Sequence, residues 1–185
     1  MFSVRPIGML LSLKRPFREV SSLKKQKKVL IMSGVMGSGK TTYCQKWIAK
    51  HKNSIWISRD EIRYSLLAPD EEYFSREKEV LKEFHKQAQE AIDNDQVDTV
   101  LLDASHLSDK AIWKTLKYLN ISREVKIVNV RLNTPLNVCL ERNASRKGRA
   151  RISDNVIKNA YSIFLNSEKF DCVRKRINEV WEVTV

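Results

Sequence analysis

Residues 34–41 read Gly-Val-Met-Gly-Ser-Gly-Lys-Thr and fit the spacing G-x-x-x-x-G-K-[ST]. Each residue type there has a physical purpose. Glycines at 34, 37 and 39 let the backbone curl until successive N–H groups, that of Ser38 among them, point inward at phosphate oxygens. A helix opening at Thr41 and Thr42 adds the positive end of its dipole. Lys40 can then reach the β- and γ-phosphates of ATP, and the Thr41 hydroxyl can ligate Mg²⁺.

Three further stretches carry groups that phosphate chemistry needs. In Ile57-Ser58-Arg59-Asp60-Glu61-Ile62-Arg63, Asp60 and Arg63 lie three apart and share a face if the segment is helical. An Asp there can take the proton of an acceptor hydroxyl. An Arg beside it can hold an acceptor phosphate bidentately. Val100-Leu101-Leu102-Asp103 is an apolar run ending in an acid. Asp103 is thereby placed to hold Mg²⁺ through water or to orient a neighbour. Residues 142–151, Arg-Asn-Ala-Ser-Arg-Lys-Gly-Arg-Ala-Arg, form the densest basic run of the domain. A flexible segment of that charge could close over the phosphates and neutralise charge on the transferring group.

These residues work together only if the fold gathers them. Short apolar runs at Val29–Met32, Ile55–Ile57, Val97–Leu102 and Val125–Leu132, with a last one at Glu179–Val183, read as strands. Between them, apolar spacings of three and four predict helices at about 41–51, 60–67, 75–94, 108–119, 135–144 and 153–169. Ser108 or Asp109 is placed to cap the fourth of these. The aromatic residues Trp47, Trp113, Tyr161 and Phe164 fall inside predicted helices and are expected in the core rather than as stacking platforms. Alternating strands and helices predict an α/β fold of three layers with a mostly parallel sheet. Right-handed crossovers then bring all strand C-terminal ends to one edge, where the site should lie.

Composition bounds the rest. The 185 residues suffice for one domain, expected over 29–185. Residues 1–28 hold eight Lys or Arg against Glu19, so they carry +7 and leave +5 of the total +12 to the domain. That segment reads as a disordered basic extension, with organellar targeting or an upstream start codon as the alternatives. Basic surface suits a polyanionic partner. Cys44, Cys139 and Cys172 are scattered with no C-x-x-C, which fits reduced thiols in a cytoplasm-like compartment. No zinc-like Cys/His cluster and no membrane-length apolar run occur in the sequence.

On the four motifs G-V-M-G-S-G-K-T, I-S-R-D-E-I-R, L-L-D-A-S and R-N-A-S-R, in that order, the chain resembles the 5′-hydroxyl polynucleotide kinase family, especially the kinase domain of phage polynucleotide kinases. The resemblance runs from about Val29 to Phe164. It implies an adenylate-kinase-like P-loop kinase fold with a basic lid, ATP and Mg²⁺ as cofactors, and the 5′ ends of DNA or RNA as substrate. It also implies roles: Asp60 as general base, Arg63 on the acceptor's 3′-phosphate, Asp103 on the acceptor side, and Arg146 with Arg142 on the donor phosphates. Lys40 and Thr41 keep the roles already given. Two positions depart from the family pattern. Met36 stands where Pro is frequent, and Ala104-Ser105 stand where Thr-Asn is frequent. The single D-x-D, Asp93-Asn94-Asp95, follows a helix rather than a strand, so no 3′-phosphatase activity is expected. The competing readings are a small-molecule or nucleoside kinase on the same fold and a nucleotide-binding switch. The absence of an N-K-x-D guanine signature weighs against a GTPase form of the last.

Overall fold

The computed structural model describes residues 26–167 and 169–184. Most of the basic 1–28 segment therefore lies outside the described residues. The chain already packs against the domain at Lys27, whose Nζ donates to the carbonyls of Ile92 and Asn94 at 2.5 and 2.8 Å.

Among the described residues, five parallel strands form one sheet in the order β2-β3-β1-β4-β5. They are β1 (Lys28–Ser33), β2 (Ser54–Ser58), β3 (Thr99–Asp103), β4 (Lys126–Leu132) and β5 (Glu179–Val183). The central strand β1 is apolar throughout its interior because both its faces are covered. Val29 and Ile31 point into one core with Val100 and Leu102, against Val80, Phe84 and Ala88 of helix α3 (Glu77–Asp93). Leu30 and Met32 point into the other with Leu101 and Val128, against Cys44, Trp47 and Ile48 of helix α1 (Lys40–Lys50). Alternation along one strand thus feeds two layers of helices. A third cluster joins Val35 to α5 (Leu136–Ala144) and α6 (Asp154–Asn166) through Cys139, Ile157, Ala160 and Phe164.

The helix ends show where local chemistry decided. Helix α2 (Arg59–Leu66) starts at Ser58, whose Oγ accepts from the Glu61 N–H. Helix α4 (Asp109–Leu116) starts at Ser108, which accepts from the Ala111 N–H. Asp109, the other candidate cap, instead accepts from the Phe170 N–H at 2.9 Å. The last turn expected of α4 tightens, with Tyr118 and Leu119 donating to residues three back. The helix expected over 153–169 ends at Asn166, and a separate short helix α7 (Asp171–Arg174) follows. The basic segment after α5 carries one 3₁₀ turn at Gly148–Ala150. Trp113 also departs from expectation, being 40% exposed, whereas Phe164 is buried and Trp47 and Tyr161 pack at cluster margins. Among the described residues, no helix is long and apolar enough to cross a membrane.

Candidate active site

The parallel sheet does the first positioning. Residues leaving β1, β2, β3 and β4 all emerge at the same edge, and the register pairs Ser58 directly with Asp103. A cleft of about 1090 Å³ opens along that edge. Its walls include Gly37, Gly39, Lys40, Thr41 and Thr42 from the first loop, Asp60 and Arg63 from α2, Asp103 from β3, and Arg142 and Arg146 from α5 and beyond.

The loop between β1 and α1 has the shape of a phosphate cradle. Gly37 and Gly39 hold φ of 83° and 98°, where a side chain is strained. At Gly37 an added Cβ would lie 2.6 Å from the Cys139 carbonyl oxygen, so the turn admits only glycine. Lys40 Nζ donates to the carbonyls of Gly34 and Val35 at 2.9 and 3.0 Å. Those bonds use two of its three protons. Burial pushes its pKa down, and the nearby Asp103 and Asp60 carboxylates oppose that. Ser38 Oγ is buried without a hydrogen-bond partner among the described residues. A phosphate oxygen would satisfy that donor, so the residues present fit a bound triphosphate.

Thr41 and Asp103 come together across the loop. Thr41 Oγ1 donates to Asp103 Oδ2 at 3.0 Å, and the Trp56 indole N–H of β2 donates to the same oxygen at 3.2 Å. Burial raises the Asp103 pKa, while Lys40, Thr41 and Trp56 pull it back. Among the described residues no cluster of three or more His, Cys, Asp or Glu could hold a metal. One hydroxyl and one carboxylate suit a hard cation held mainly by phosphate and water, as Mg²⁺ prefers.

Asp60 and Arg63 share a face of α2, as their spacing requires. Arg63 Nη1 donates to Asp60 Oδ1 at 2.6 Å, and Nη2 donates to Glu77 Oε2 of α3 at 2.7 Å. The guanidinium lies 4.5 Å from the Tyr73 ring centroid, and the residue as a whole is 3% exposed. Arg63 therefore sits behind Asp60, embedded in the wall of the cleft. Its Nη1 also donates to the Tyr73 hydroxyl at 3.0 Å, and its Nε is buried without a partner among the described residues. Glu77 also pairs with Arg59 and so ties α3 to α2. Neither Glu77 nor Tyr73 belongs to a motif in the sequence, and no local signal marks them.

On the far wall, Arg142 Nη1 donates to the Gly37 carbonyl at 3.2 Å. Arg146 faces the cleft, with Nη1 3.5 Å from the Ala150 carbonyl. Arg149 spans the mouth, its Nη2 donating at 2.7 Å to the carbonyl of Ala68 beyond α2. The basic run thus arches over the cleft from one wall to the other.

A chain of the Pnkp1/Rnl/Hen1 RNA repair complex superimposes with a TM-score of 0.63 at 21% identity over 78% of this chain. This chain spans 46% of that chain's length. A fungal RNA kinase matches with a TM-score of 0.54 at 12% identity, over 85% of this chain and 74% of that one. A sugar kinase from Janibacter sp. matches at 0.53 and 14% identity, over 86% of this chain and 84% of that one. At these identities the likeness is one of fold, that of a P-loop kinase. No curated protein matches the sequence. The AAA domain family AAA_33 matches residues 29–164, which take in β1 to β4 and Lys40, Asp60, Asp103 and Arg146 of the cleft, and the chain belongs to that family.

Proposed function

We propose that the protein is an ATP-dependent polynucleotide 5′-hydroxyl kinase that moves the γ-phosphate of ATP to the 5′-OH of DNA or RNA ends. The observation that carries this reading is the placement of Asp60. Its side chain is 66% exposed in the same cleft as Lys40, yet its Oδ1 is held by a buried arginine. A carboxylate fixed on one oxygen and open on the other is suited to take a proton from an acceptor hydroxyl.

In this reading the cradle at 34–41 grips the donor phosphates, and Lys40 and Arg146 balance charge on the transferring group. Bound Mg²⁺, held by Thr41 and by Asp103 directly or through water, would supply further charge neutralisation. Asp60 accepts the 5′-OH proton as that oxygen attacks phosphorus and the β–γ bridging oxygen leaves. Arg63 steadies Asp60 from the wall of the cleft, and would turn out of that wall to take the acceptor's 3′-phosphate. The arching arginines exclude water and match a polyanionic strand. The RNA repair complex and the fungal RNA kinase among the similar structures support the nucleic-acid acceptor.

The sugar kinase match, over 84% of that chain, favours a small-molecule acceptor as the second reading. Offering ATP with a 5′-OH oligonucleotide, a nucleoside, a nucleoside 3′-monophosphate and a panel of simple sugars in competition separates them. The proposal expects phosphate on the oligonucleotide and on the 3′-monophosphate, with bare nucleoside and sugars poor. Preferred phosphorylation of a sugar or nucleoside would replace it with the second reading.

A further inference from the structure

Beside Asp60 the cleft carries three aromatic rings that the phosphate chemistry leaves unused. Tyr64 of α2 is 45% exposed and Phe74 is 67% exposed, and both line the cleft together with Tyr73. The rings are packed on one another: Tyr64 and Tyr73 centroids lie 6.0 Å apart at 65°, and Tyr73 and Phe74 lie 4.8 Å apart at 88°. Arg63 supports them from behind, its Cζ 4.5 Å from the Tyr73 centroid and 5.4 Å from that of Phe74. Fixed rings with this much surface uncovered inside a charged cleft are suited to receive a flat ligand face.

The position of the rings says which ligand. The Tyr73 hydroxyl donates to Asp60 Oδ1 at 2.7 Å and accepts from Arg63 Nη1 at 3.0 Å. Burial and the Asp60 carboxylate both hold the Tyr73 phenol protonated, so it remains a donor. The shelf is thus bonded to the very carboxylate assigned to the acceptor hydroxyl, on the acceptor's side of the cleft. The surrounding walls are cationic, with Arg59, Arg149 and Arg151 among them. An aromatic face with cations around it matches a nucleobase attached to a phosphate chain.

We propose that the exposed faces of Phe74 and Tyr64, braced edge-to-face by Tyr73, form a stacking shelf for the nucleobase of the nucleotide that bears the reacting 5′-OH. This rests on the polynucleotide kinase reading and adds a subsite to it. The shelf selects an end whose terminal base is free to leave its pairing partner. It also couples base binding to chemistry, because a base on the shelf packs against the residue that orients Asp60.

The test uses two 5′-OH oligonucleotides that differ only in the terminal nucleotide, one with its base and one abasic. The wild type is expected to use the abasic end with a kcat/KM about tenfold lower, as loss of one base–aromatic stack implies. Phe74→Ala and Tyr64→Ala should lose most of that discrimination through a higher acceptor KM, while the KM for ATP stays put. Phe74→Tyr, which keeps the ring, should restore it. Both residues are exposed, so their truncation leaves the core filled. Equal use of both ends by the wild type, or unchanged discrimination in Phe74→Ala, would overturn the shelf alone. No transfer to either oligonucleotide by the wild type would instead overturn the kinase reading on which it rests.

Discussion

Arg63, almost wholly buried, donates at 2.6 Å to Asp60, whose side chain is mostly exposed. The buried partner fixes the exposed one, and the same guanidinium is fixed in turn by Glu77 from a different helix. Removing Arg63 should therefore act on both stability and chemistry. Arg63→Ala leaves Glu77 and Asp60 without their shared cation, at a cost on the order of 2 kcal/mol given their partial exposure. Arg63→Lys keeps the charge but cannot serve both carboxylates with fork geometry. Denaturant unfolding should show a loss for Ala and a smaller one for Lys, with phosphate transfer to oligonucleotides impaired in both.

Asp60→Asn keeps the shape of the site and removes the proposed proton acceptor. Transfer should fall by about 10²–10⁴-fold, as loss of a general base implies, with nucleotide affinity unchanged. Single-turnover transfer beside equilibrium nucleotide binding checks both halves. Turnover near the wild-type rate would remove Asp60 from the base role.

At Gly37 the cradle has no room for a methyl group, and the backbone is left-handed. Gly37→Ala should cost about 1–2 kcal/mol in backbone strain alone and displace the Cys139 segment. The expected result is loss of nucleotide binding in a protein that still folds, read by calorimetry and by thermal unfolding.

Trp56 reports on the Thr41–Asp103 pair because its indole N–H binds the same carboxylate oxygen. Addition of Mg²⁺ and nucleotide should change its emission. In Trp56→Phe the remaining tryptophans should give little of that response. An equal response in the variant would place the change elsewhere.

His106 gives the fold a pH dependence. Its Nδ1 lies 2.9 Å from the Met32 carbonyl, which can only accept, so Nδ1 carries the proton and Nε2 accepts from Thr115 Oγ1. Burial pushes its pKa down to about 4 from the usual 6.5. The neutral form is the one the fold holds. Its contribution is therefore complete above pH 6.5 and declines as pH falls towards 4, where the unfolded chain binds a proton that the folded chain refuses. The loss should reach roughly 2–3 kcal/mol across that window. His106→Gln should show a flatter stability profile over the same range, measured by chemical denaturation at stepped pH.

Much of the fold can be read from the chain because its signals are local. Buried strands announce themselves as apolar runs, and Ser58 and Ser108 mark helix starts by chemistry confined to three residues. The cradle is equally local, since Gly34 to Thr41 carry their geometry in their own backbone. Asp60 and Arg63 are legible as a pair because one helical turn joins them. Glu77 and Tyr73 are not, since they meet Arg63 only after α3 folds back on α2. Trp56 likewise reaches Asp103 through sheet register across 47 residues. The proposed aromatic shelf is not legible in the sequence for a related reason: Tyr64, Tyr73 and Phe74 lie near the end of α2 and in the irregular stretch before α3, where no periodicity marks exposure.

The most direct test of the central claim offers the protein labelled ATP and two oligonucleotides of one sequence, one ending in 5′-OH and the other in 5′-phosphate. The account predicts label on the 5′-OH strand, at its 5′ terminus, and none on the 5′-phosphate strand. An unlabelled 5′-OH strand in a sample that demonstrably binds ATP would contradict it.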